Sequence, residues 1–65
     1  MIKIGDIVFL KNHLEVVNFS KIGIVLEESN RPSFNKQFRV HFNREKEPHW
    51  WEEKYLYKIE EEEND

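Results

Sequence analysis

The sequence predicts a small all-β domain, and three observations carry that expectation. Residues 37–43, QFRVHFN, alternate without a break: Phe38, Val40 and Phe42 fall on one side of an extended chain, and Gln37, Arg39, His41 and Asn43 on the other. A period of two belongs to a strand, and no helix uses it. Two further runs, Ile7–Lys11 and KIGIVLEES from Lys21 to Ser29, are dense in the branched residues that suit a pleated sheet. Gly, Asn, Pro and Ser punctuate the chain between these runs, as turns require.

At 65 residues the chain is a single domain near the lower limit for folding without staples. Hydrophobic residues make up only 38%, but 14% of the chain is aromatic. Each buried ring removes about 150–250 Å² from water, so a core built on rings is expected. The absence of Cys rules out a disulfide framework and a thiolate metal site, and makes a cytoplasmic location the expected one. No apolar run approaches the roughly 18 residues of a membrane span, and no signal-peptide pattern opens the chain. A soluble protein that starts at its own Met1 and has no membrane partner is expected.

In chain order, Gly5-Asp6 marks a turn before Ile7–Lys11, a strand apolar enough to be packed on more than one side. Residues 12–20, NHLEVVNFS, carry turn signals at Asn12, Asn18 and Ser20, yet Leu14, Val16, Val17 and Phe19 are too apolar for a plain solvated loop. They form either a long hairpin loop folded back onto the core or an exposed apolar patch for a partner. Gly23 inside the second strand predicts a bulge or sharp coil. Ile22, Ile24, Val25 and Leu26 cannot all face one side of that strand. Pro32 and its flanking Asn residues make the next connection, with Phe34 either capping the sheet or standing exposed. The adjacent Trp50 and Trp51 must point to opposite faces, one to the core and one outward or over an end. A helical turn over Glu53–Tyr55 and a short strand in residues 56–59 close the domain, 1–59. Residues 60–65 contain no apolar side chain and are expected to form an unstructured acidic tail.

The segments IGDIVFL, GIVLE, FRVHF and WWEEKYLYKI, in that order, resemble an SH3-like small barrel: five strands, a long first loop, and a helical turn before the last strand. The resemblance is to Tudor, KOW and chromatin-type modules and to the short free-standing SH3-like proteins that tailed bacteriophages encode, and it covers nearly all of residues 1–59. It implies a closed five-stranded barrel and a non-catalytic adaptor with a protein partner, a host or virion component if the chain is phage-encoded. The KOW signature is incomplete, with only Gly23 to fill its glycine, and the acidic loop and Pro-binding Tyr motif of peptide-binding SH3 domains are absent.

The net charge of −3 is unevenly spread. Glu60, Glu61, Glu62, Glu63 and Asp65 supply five of 13 acids, leaving eight acids against ten bases in residues 1–59. Arg31, Lys36, Arg39, Arg44 and Lys46 make the middle basic, and with His41 they predict a positive surface with aromatics nearby. Such a surface either binds nucleic acid through charge and stacking or is an ordinary solvated face. The acidic tail opposes phosphate binding or shields the basic face until a partner displaces it. Trp50, Trp51, Tyr55, Tyr57 and Phe34 are candidates for an aromatic cage around a methylated cation, against their use in the core. No Ser-His-Asp or Cys-His constellation is spaced for catalysis, so no enzyme activity and no cofactor are expected. His13, His41 and His49 lack metal-ligand spacing, although His41 and His49 are candidate cross-strand neighbours.

Overall fold

A single antiparallel sheet organises the computed structural model, which describes residues 1–29 and 35–59. Its strands are β1 (Ile7–Lys11), β2 (Val17–Glu28), β3 (Gln37–Phe42), β4 (His49–Glu52) and β5 (Leu56–Tyr57), with a 3₁₀ turn at Glu53–Tyr55 before β5. They lie in the order β4-β3-β2-β1-β5. The all-β class, the five strands and the helical turn match the sequence expectation. Closure of a barrel does not: β4 and β5 remain the two edges of an open sheet. The 3₁₀ turn carries the chain from one edge to the other, and a two-residue β5 offers too few backbone groups to pair with a second neighbour. The expected tail, 60–65, lies outside the described residues.

The first connection is shorter than expected. β2 already begins at Val17, and an Asx turn spans the hairpin: Asn12 Oδ1 accepts from the backbone N–H of Leu14 (2.8 Å) and Val16 (3.1 Å). A loop this tight cannot fold back onto the core, and Leu14 and Val16 stay in solvent, 70% and 60% exposed. Asn18 and Ser20 mark an irregularity within β2 rather than a loop. β1 pairs Leu10 with Asn18 but Phe9 with Ile22, so residues 19–21 are extruded from the ladder. Ser20 steadies them by donating from both N and Oγ to Asn18 Oδ1 (3.1 and 2.6 Å). Asn43 clamps the same place, accepting from Ile22 N (3.2 Å) and donating to the Ser20 carbonyl (3.0 Å).

Ile2, Val8, Val25, Phe38, Val40, Phe42 and Leu56 form the core, with Leu10 and Trp51 packed against it. Only Phe38 and Phe42 are fully buried rings among the described residues, so the core is mixed aliphatic and aromatic rather than built on rings. Gly23 is needed for a reason other than a bulge. The ladders run evenly through it, and the register breaks fall at Phe9/Leu10 and Val25/Glu27. A Cβ on Gly23 would lie 2.7 Å from Val40 Cγ1 and 2.8 Å from Phe42 Cδ1, inside van der Waals contact. Gly23→Ala is therefore expected to destabilise by about 1–3 kcal/mol through overpacking, read as a lower midpoint in urea denaturation.

The N-terminal turn is tied to the middle and the end of the chain. Gly5 takes a φ of 92°, which suits glycine, while its N–H donates to the Val25 carbonyl (2.8 Å) and Val25 N–H returns a bond to the Asp6 carbonyl (3.0 Å). Asp6 Oδ2 meets Lys58 Nζ (2.9 Å) and the Lys3 N–H (2.7 Å). These contacts, the Lys58 bond foremost, hold its carboxyl below the usual carboxylate value. A lowered folded value means that the contribution is in place above the unfolded pKa and fades as pH falls through the folded one. Asp6→Asn is accordingly expected to lower the urea midpoint at neutral pH, the difference from wild type shrinking as pH falls through the lowered titration of the folded carboxyl.

Candidate functional site

Two of the four described bases of the sequence-predicted basic surface, Lys36 and Arg39, are paired with acids. Arg39 donates from Nη1 to Glu27 Oε1 (2.9 Å), and Lys36 Nζ sits 2.7 Å from Glu28 Oε1. That Glu28 contact, more than the burial that opposes it, raises the Lys36 pKa. His41 donates from Nε2 to the Glu45 carbonyl (2.9 Å), while the Glu45 carboxylate holds Lys21 (3.2 Å) and faces His49 (3.5 Å). Arg44 (in a turn, φ 69°) and Lys46 are exposed and have no acidic partner among the described residues. Arg31 and Phe34 lie outside the described residues.

The aromatic candidates do not converge. Trp51 turns inward and meets Phe42 edge-on (centroids 5.8 Å apart), whereas Trp50 is 47% exposed on the outer face opposite Arg39. Tyr55 is half-buried in the 3₁₀ turn beside Lys54, and Tyr57 packs on Phe19 (6.2 Å) at the far side of the sheet. No cage forms among these described rings, because Trp51 faces Phe42, Trp50 lies on the opposite face and Tyr57 packs on Phe19. The register pairs His49 with Val40, so His49 and His41 are not cross-strand partners. Among the described residues no three His, Asp or Glu side chains gather where a metal could be held.

What the structure brings together instead is apolar. On the outer face of β5, β1 and β2 the register aligns Tyr57, Phe9 and Ile22 in one row, and Ile7 with Ile24, followed by His41, in the next. Phe19, extruded from the ladder and 62% exposed, packs edge-on against Phe9 (5.1 Å), and Ile59 extends the face beyond Tyr57. Two open depressions meet at Ile7. One, of about 500 Å³, is lined by Ile7, Phe9, Lys58 and Ile59. The other, of about 430 Å³, includes Ile22, Ile24, His41 and Glu45. No carboxylate, ammonium or guanidinium group belongs to either row.

The signal for this face was in the sequence. An antiparallel strand with one solvated side should alternate apolar and polar residues, and Ile7–Lys11 and Ile22 to Leu26 do not. Magnitude separates the two candidate surfaces. An exposed ion pair contributes about 0.2–1 kcal/mol, whereas burying one Ile or Phe side chain is worth about 1.5–3 kcal/mol. By these magnitudes the outer face of β1 and β2 is the stronger candidate surface of the two. No family model, curated protein or solved structure matches the chain.

The two tryptophans give a direct check of this arrangement. Trp51→Ala is expected to cost about 3 kcal/mol in chemical denaturation, and Trp50→Ala no more than about 0.5 kcal/mol.

Proposed function

We propose that this chain is a non-catalytic protein-binding module of the SH3-like small-barrel class, similar to the short free-standing modules of tailed bacteriophages, and that it docks through the outer face of β1, β2 and β5. The strand order β4-β3-β2-β1-β5 with a 3₁₀ turn before the last strand supports the class. The observation that carries the function is the pair of uncharged rows, Tyr57–Phe9–Ile22 and Ile7–Ile24, left in solvent at the centre of the sheet. Scattered apolar residues need no explanation on a surface, but a contiguous set marks a docking site. A phosphate-binding surface needs cations free to displace counterions. Arg39 and Lys36 are already engaged by Glu27 and Glu28, which favours protein over nucleic acid as the partner.

Affinity capture with three baits tests the reading. Wild type and Arg39→Glu should retain the same partner, and Ile24→Glu should lose it. Anisotropy with labelled single-stranded DNA and RNA should give dissociation constants no tighter than about 10⁻⁴ M at physiological salt. Submicromolar, salt-sensitive binding abolished by Arg39→Glu would replace this proposal with a nucleic-acid module.

A further inference from the structure

We infer that the partner covering the outer face is a second copy of this chain, so that the working unit is a two-fold homodimer. The inference rests on the reading of that face as a docking surface and names its occupant.

The distribution of apolar side chains points to association. Among the described residues only seven side chains are buried within one copy, while Ile7, Phe9, Phe19, Ile22, Ile24, Tyr57 and Ile59 gather on one outward face. Domains of this size are commonly completed by disulfides, a structural metal or oligomerisation. This chain has no Cys, and its described residues gather no metal ligands. Association would bury the outward apolar face that one copy leaves exposed.

The chemistry of the face selects the occupant. The two rows themselves carry no charge, and the depressions beside them are lined by charges of both signs, Lys58 in one and Arg44 with Glu45 in the other, so a two-fold copy can set row against row and opposite charges against one another. Interfaces between identical subunits are the more apolar class, and this face fits them. Shape agrees: the two depressions are open and continuous across neighbouring strands, which suits one sheet laid on another better than a single inserted helix or strand. A stable pair must cover about 800 Å² on each partner, about a seventh of the 5355 Å² exposed here. The apolar rows supply the dry centre of such an interface. The Asp6–Lys58 and Lys21–Glu45 pairs border it, since Lys58 and Glu45 line the outer ends of the two depressions.

Sedimentation equilibrium at micromolar concentration tests this on the full chain. The expected mass is twice the 8.0 kDa of one chain. Ile24→Glu should weaken the dimer by about 30-fold or more, and Leu14→Glu, exposed but off the face, should leave it unchanged. To separate loss of fold from loss of partner in Ile24→Glu, a mixture of isotope-labelled and unlabelled wild type provides the second measurement. Isotope-filtered NOEs between chains are expected among Ile7, Phe9, Ile22, Ile24 and Tyr57. A mass of 8.0 kDa at every concentration, or a dimer whose contacts between chains centre on Trp50, overturns the inference. A monomer that still captures a partner through Ile24 refutes the second copy alone, and a monomer that captures nothing through this face ends both readings.

Discussion

The close passage of β2 over β3 at Gly23 governs the rest of the sheet. With no side chain there, Val40 and Phe42 lie directly beneath the β2 backbone, and the inner layer closes with seven buried side chains among the described residues. The same position decides where its neighbours point. Gly23 faces inward opposite Val8 and Phe42, so Ile22 and Ile24 must face outward, however apolar they are. The tight inner packing and the exposed outer face are two results of one backbone contact.

A second local feature sets the charge of the other candidate surface. The register break after Val25 leaves Leu26 unpaired and brings Glu27 opposite Arg39 and Glu28 opposite Phe38. Without the extra residue, Leu26 would have met Arg39, and the guanidinium would have had no carboxylate beside it. One inserted residue in β2 thus neutralises much of a strand that is basic by composition.

These two features also explain which parts were legible in advance. β1 was readable to the residue because it is bounded by strong turn signals, and β3 to within one, ending at Phe42 rather than Asn43, because it is buried on one side and wet on the other. The start of β2 was hidden because the turn chemistry of Asn18 and Ser20 is real but acts inside a strand irregularity. The direction of Ile22 and Ile24 depended on atoms of Val40 and Phe42, far along the chain. The pairing of Lys36 and Arg39 was not legible because the counting of charges over residues 31–46 left out Glu27 and Glu28, which only the register brings across. Trp50 and Trp51 were separable by alternation, but which of them faces Phe42 follows from the pairing of Trp51 with Phe38.

The link between Lys58 and the first residues closes the chain on itself. Lys58 Nζ reaches both Asp6 Oδ2 (2.9 Å) and the Met1 carbonyl (3.4 Å), so the two ends of the sheet region leave from the same corner. Neighbouring ends are what circular permutation requires. A short peptide joining them, with new termini opened in the exposed Asn12 to Val16 hairpin, would keep every strand neighbour while changing their order of synthesis. The fold's identity would then reside in its ladder alone, independent of where the polypeptide starts.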